Sequence, residues 1–122
     1  MKQTILIADD DLELTEVLHD LLDAVGYSVL VAHEGVTVVE KAKQFRPQLI
    51  LLDWKMPLGK GPAVIEMLQE KEETKSIPVI VLTGVDEPGM KETLQVMGVR
   101  GYIKKPYEPS ELIRKIKDVL AA

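Results

Sequence analysis

Apolar residues in this chain come in short unbroken runs, separated by longer stretches where they recur every three or four positions. Four runs stand out: Ile5-Leu6-Ile7-Ala8, Ser28-Val29-Leu30-Val31, Leu49-Ile50-Leu51-Leu52 and Pro78-Val79-Ile80-Val81-Leu82. The runs at 5–8, 49–52 and 78–82 predict strands covered on both faces, as in a parallel sheet, and the run at 28–31 predicts a shorter strand. Gly101-Tyr102-Ile103-Lys104 predicts a short fifth strand, stopped by Lys105-Pro106 because proline cannot donate to the ladder. Helical spacing fills the gaps. It marks Leu14, Val17, Leu18, Leu21, Leu22 and Val25, then Val38, Val39, Ala42 and Phe45. Val64, Ile65 and Leu68 follow, then Met90, Leu94 and Met97. The last set is Leu112, Ile113, Ile116, Val119 and Leu120.

The punctuation agrees with this division. Gly26 and Gly98 suit helix C-caps, Pro62 suits a first helical turn, and Ser110 is the expected N-cap of the last helix. The charged stretch Glu70–Lys75 reads as a solvated helix end and loop. Five strand-then-helix units predict an α/β domain over residues 1–122. Its sheet is parallel, with right-handed crossovers and helices on both faces. The pattern does not order the strands.

Composition narrows the function. Apolar residues make up 46% of 122, which excludes a disordered chain and allows a proper core. There is no cysteine, hence no disulfide framework or thiolate metal site. Lys+Arg 15 against Asp+Glu 20 gives a net charge of −5, which argues against direct nucleic-acid binding through a basic face. No apolar run approaches the ~20 residues of a membrane span, and Met1–Thr4 leads straight into a strand-length run rather than a signal peptide. A cytoplasmic protein without membrane insertion is the expectation.

The candidate chemistry stands where strands end. The first ends on Asp9-Asp10-Asp11, the third on Asp53, the fourth on Thr83 and the fifth on Lys105. In open α/β sheets ligands bind outside the carboxyl ends of the strands. Side by side, these residues put three carboxylates, a hydroxyl and an ammonium in one small pocket, with Asp11 left to cap the first helix. Crowded carboxylates repel, and one would hold its proton unless a hard divalent cation joins them. Asp9, Asp10 and Asp53 carry −3 and Lys105 +1, leaving −2, the charge one Mg²⁺ neutralises. Magnesium takes one or two carboxylates, keeps several waters and accompanies phosphate. A carboxylate beside it can accept a phosphoryl group, with Thr83 and Lys105 stabilising the oxygens.

The set Ile7-Ala8-Asp9-Asp10-Asp11, Leu52-Asp53-Trp54-Lys55-Met56-Pro57, Leu82-Thr83-Gly84 and Lys105-Pro106-Tyr107 closely resembles the receiver domain of two-component response regulators. The likeness spans about residues 3–121. It implies a flavodoxin-like, doubly wound (βα)5 fold with a five-stranded parallel sheet in the order 2-1-3-4-5. It implies that Asp53 is the phosphoacceptor. Asp10, Asp53 and the backbone carbonyl of Lys55 would bind Mg²⁺, with Asp9 acting through a water. It implies that Thr83 is the switch hydroxyl, Tyr102 the switch aromatic and Lys105 the site lysine, followed by a Lys105–Pro106 bond that is often cis. Lys104, by strand alternation, points away from Lys105. A histidine kinase or phosphotransfer protein would supply the phosphoryl group, and a downstream protein would read the change. The protein would be no enzyme beyond its own aspartyl phosphorylation and dephosphorylation. Because the chain ends just after the last helix, no output domain is expected; a stand-alone regulator, an excised domain and a design all fit.

Departures from the family pattern carry information. Lys55, two residues after the acceptor, is a cation where many members are neutral or polar. Gly59 and Lys60 replace an apolar and a small or acidic residue, which frees the loop's backbone. Gly84 stands where alanine is common. Lys55 also argues against a phosphatase with an aspartyl-phosphate intermediate, which wants a second acid there. The complete acid, threonine and lysine set argues against a degenerate receiver. Lys55 and Val85 cannot position an attacking water, so a long-lived acyl phosphate is expected. His19 and His33 are isolated, neither pairs with a plausible metal ligand in the sequence, and both read as surface residues.

Overall fold

The three inner strands of the sheet owe their place to aliphatic runs that leave no polar side to face water, whereas the edge strands are half-exposed. In the computed structural model, which describes residues 2–54, 61–84 and 88–122, the five strands are β1 (Thr4–Ala8), β2 (Ser28–Ala32), β3 (Leu49–Asp53), β4 (Val79–Thr83) and β5 (Gly101–Lys104). All pairings are parallel, in the order β2-β1-β3-β4-β5, as the resemblance implies. The helices alternate with them: α1 (Leu12–Val25), α2 (Gly35–Phe45), α3 (Gly61–Gln69), α4 (Met90–Val96) and α5 (Pro109–Ala121). Of the positions singled out above, Lys55, Met56, Pro57, Gly59, Lys60 and Val85 lie outside the described residues. Among those described, no helix is long and apolar enough to cross a membrane.

Strand alternation divides the core in two. Ile5, Ile7, Leu49, Leu51, Ile80, Leu82 and Ile103 pack with Leu18 and Leu22 of α1 and Leu112 and Ile116 of α5. Leu6, Ala8, Ile50, Leu52, Val79 and Val81 pack on the other face with α2, α3 and Leu94 of α4. Burying each large aliphatic side chain stabilises by about 1.5–3 kcal/mol.

The helix ends follow local chemistry. Asp11 caps α1, its side chain accepting from the Leu14 N–H at 3.1 Å, and Gly26 closes it at φ 116°, a left-handed conformation that favours glycine. The α5 start differs from expectation. Glu108 is the N-cap residue and Pro109 the first helical residue, so Ser110 lies inside the first turn. Pro109 claims that position because its fixed φ suits it and it has no N–H to satisfy.

Three apolar positions expected inward are exposed: Val17 at 63%, Val25 at 38% and Phe45 at 50%. Val17 lies about 100° round the helix from Leu18. Val25 and Phe45 are the last residues of their helices. The 70–75 stretch forms turns as expected, but Thr74 is buried within it, and its hydroxyl donates to the Leu68 carbonyl at 2.6 Å. That bond satisfies the carbonyl of α3's last buried residue, a role its charged neighbours conceal.

Candidate functional site

Each site residue is fixed by a ladder bond that continues just beyond its strand. The Asp9 N–H donates to Ala32 O at 3.1 Å, the Trp54 N–H to Leu82 O at 3.0 Å and the Lys105 N–H to Thr83 O at 2.7 Å. The backbone is thereby held at three strand ends, so the side chains start from a rigid edge. A Cβ on Gly61 would meet the Trp54 ring and stand 2.9 Å from the Trp54 carbonyl oxygen, so α3 can begin this close to the site only with glycine there. The sequence reading gave Gly61 no such role.

The carboxylates converge. Asp9, Asp10 and Asp53 each offer an oxygen within 4.8 Å of the others. Asp9 and Asp53 are buried and Asp10 is exposed, so the group opens to solvent on Asp10's side. Lys105 Nζ donates to Asp53 Oδ1 at 3.2 Å and lies 3.5 Å from Asp9 Oδ2. Asp9 Oδ1 accepts from the Asp11 N–H at 3.0 Å, while its buried Oδ2 has no hydrogen-bond partner. The Lys105–Asp9 approach is therefore an ion pair without a hydrogen bond.

Charge and burial act on the titrations. Burial raises the Asp9 pKa, the Asp11 N–H bond and Lys105 oppose the rise, and Asp53 and Asp10 add to it. Burial alone would lower Lys105, but Asp9 and Asp53 together outweigh it and the ammonium is held above its ordinary value. Tyr107 is raised by burial, with Lys105 opposing and Asp9 adding. Sequence reasoning gave Tyr107 no part in this neighbourhood; its place directly after Lys105-Pro106 was the available signal. The Lys105–Pro106 bond is cis.

A hard divalent cation fits this donor set. An unbonded buried carboxylate oxygen and three acids facing one ammonium leave a surplus of two negative charges, and oxygen ligands of this kind suit Mg²⁺.

Tyr102 packs on the other side of the sheet, and alternation assigns Thr83 to that side as well. Val81, two residues before Thr83, packs on the α2–α4 face, as does Tyr102, which is paired with Val81 across β4 and β5. By alternation Thr83 points the same way, and it is buried at 1% exposure. Lys104 is opposite Thr83 in register and exposed, whereas Lys105 reaches the acids. The structure thus unites Asp9, Asp10, Asp53 and Lys105. Thr83 stands at the same sheet edge, as the last residue of β4, and Tyr102 packs on the α2–α4 face.

Comparison with known proteins agrees with this geometry. The family model described as response regulator receiver domain matches residues 5–117. The polar-differentiation response regulator DivK of Brucella anthropi is 31% identical over 120 residues, covering 98% of each chain. The phosphate regulon transcriptional regulatory protein PhoB of Pseudomonas aeruginosa is 36% identical over 118 residues, covering 97% of this chain. The chain spans about half (52%) of that regulator's length. Among solved structures, the receiver domain of a Pseudomonas aeruginosa sensor histidine kinase, with a magnesium ion coordinated in its active-site cleft, superposes with a TM-score of 0.90. It is 26% identical, and the match covers 100% of both chains.

Proposed function

The chain belongs to the family of response regulator receiver domains, and from that premise we propose that residues 1–122 form one phosphoacceptor switch of a two-component phosphorelay, with Asp53 as the acceptor. The observation that carries this reading is the meeting of Asp9, Asp10 and Asp53 with the Lys105 ammonium at one sheet edge.

An Asp53 carboxylate oxygen attacks the phosphorus of a phosphohistidine. A new O–P bond forms as the P–N bond breaks, and the imidazole leaves with a proton. Asp10, Asp53 and the Lys55 carbonyl would hold Mg²⁺, with Asp9 acting through a water. When bound, that ion supplies charge neutralisation and orientation of the phosphoryl oxygens. Lys105, now paired with Asp53 at 3.2 Å, is close enough to follow the new charge and bond a phosphoryl oxygen. Phosphorylation adds about −1.5 to −2 charge. Thr83 would turn from the α2–α4 face toward that charge, and Tyr102, which packs on that face, would repack into the space released. A full swing from 1:99 to 99:1 needs about 5.5 kcal/mol of differential interaction, within reach of two charge-assisted bonds and a repacked ring. A downstream protein reads this surface, a histidine kinase or phosphotransfer protein supplies the phosphoryl group, and the protein works in the cytoplasm. The protein turns over no external phosphomonoester.

Acetyl phosphate with Mg²⁺ tests the reading. Intact mass should rise by one base-labile phosphoryl group, and EDTA should suppress it. No incorporation, or release of phosphate from a phosphomonoester with turnover, overturns it.

The acyl phosphate should be long-lived. Hydrolysis needs a water aligned behind phosphorus. By resemblance to the family, the side chains two residues after the acceptor and two after the switch threonine, here Lys55 and Val85, are those to hold it, but a protonated lysine has no acceptor and valine has no polar group. Phosphoryl transfer gains most from positioning. Under the same Mg²⁺, Lys55→Asn/Val85→Glu should lose phosphate at least several-fold faster than wild type. Equal or slower loss means that these positions do not set the lifetime.

A further inference from the structure

The chain's two histidines, 14 positions apart in sequence, line the same cleft. It has a volume of about 250 Å³ and lies between α1 and the edge strand β2, with Leu12, Thr15, Glu16 and His19 on one wall and Val31 and His33 on the other. His33 is half-buried, and its Nδ1 lies 2.9 Å from the Asp9 backbone oxygen. A carbonyl only accepts, so His33 Nδ1 is the donor and Nε2 keeps its lone pair. His19 Nδ1 lies 3.3 Å from Asp20 Oδ1. An ionised carboxylate also only accepts, so His19 has the same tautomer. Each ring therefore has Nε2 left to offer.

This is how metal-binding histidines are held: one ring nitrogen donates to a carbonyl or carboxylate, fixing the tautomer and raising the basicity of the other. Glu16 adds a carboxylate on the same wall, one helical turn from His19. We propose that this cleft is a second cation site. It takes a borderline divalent transition metal of the Zn²⁺ class on Nε2 of His19 and His33, with Glu16 as third ligand. Imidazole donors suit Zn²⁺, Cu²⁺ or Ni²⁺ and not Mg²⁺, so ligand chemistry separates this site from the carboxylate group at Asp53. Only Asp9, Asp10 and Asp53 stand drawn together as a ligand trio among the described residues. Binding in the cleft therefore requires the His19 and Glu16 side chains, both on the exposed side of α1, to close toward His33.

Because His19 and His33 are the only histidines in the chain, their ring signals in NMR give an unambiguous reading. The titration uses Zn²⁺ with saturating Mg²⁺ and the Asp53→Asn protein, so that the acidic group does not compete. Both imidazole Nε2 signals should shift together and saturate at one Zn²⁺ per chain. His19→Gln and His33→Gln should each weaken binding by at least about ten-fold, with unchanged circular dichroism. Glu16→Gln should weaken it less than either. Histidine signals that stay put while Zn²⁺ binds elsewhere, or full affinity in both histidine variants, overturn the proposal. Phosphorylation of Asp53 in the wild-type chain is measured separately, so either reading can fail without the other.

Discussion

Asp53→Asn protein will take up no phosphoryl group from acetyl phosphate, a loss of at least ~10³-fold in labelling rate, the scale of removing a covalent nucleophile. The substitution keeps the shape and one oxygen, so Lys105 Nζ can still donate at the position now 3.2 Å away. The backbone bond that fixes this strand end, from the Trp54 N–H to Leu82 O, does not involve the side chain. What disappears is the charged oxygen proposed to attack phosphorus. The fold should survive, as circular dichroism will show. Asp11→Asn is the matched control. Asp11 lies in the same acidic run but caps α1 through the Leu14 N–H, and asparagine caps as well as aspartate. It should be labelled like wild type. Equal labelling of Asp53→Asn sinks the assignment, and loss of labelling in Asp11→Asn would mean that the acidic run does more than its geometry supports.

The sheet and the acidic edge were legible because their signals are local and strong. Three aliphatic runs leave no reading but buried strands, and a polar residue directly after such a run must stand at the sheet's edge. Asp9 and Asp53 were found in this way and Lys105 from the Lys105-Pro106 step that stops the fifth strand, and the bonds just past the strand ends hold them there. Strand order was not legible from pattern, since five βα units are compatible with several windings; it came from the family resemblance. Periodicity also overcounts the core. It marks an arc of α1 wide enough to include Val17, whereas burial is centred on Leu18 and Leu22. Two kinds of feature were hidden because they depend on tertiary approach. Thr74 sits in a charged turn and is read as solvated until its bond to Leu68 is seen. His19 and His33 appear unrelated until α1 packs beside β2. The packing of Tyr102 on the α2–α4 face was implicit in the alternation, and its register partner Val81 on that face bears this out.

Asp9→Asn should make the metal-free protein more stable while weakening its hold on Mg²⁺. The wild-type residue is 1% exposed, and its Oδ2 has no hydrogen bond. A buried, incompletely bonded charge costs stability. Asparagine removes the charge and can still accept from the Asp11 N–H through Oδ1. Lys105 loses one carboxylate neighbour but retains Asp53. The balance favours the variant by about 1–2 kcal/mol near neutral pH, or roughly 3–8 °C in Tm. The pH dependence has a definite sign. Burial raises the folded-state pKa of Asp9 above the ordinary aspartate value, so the native state binds more protons than the unfolded state between the two values. The contribution is fully present below the unfolded value and is lost as pH rises through the folded one. The stability difference between Asp9→Asn and wild type should therefore widen with pH across that window and then level off. Trp54, the only tryptophan, is partly buried next to the acceptor and can report the cation by its emission. In a Mg²⁺ titration, Asp9→Asn should require at least about ten-fold more metal than wild type, the scale set by outer-shell partners. A variant less stable than wild type without metal would mean that Lys105 needs both carboxylates. An unchanged Mg²⁺ titration would remove Asp9 from the metal's surroundings.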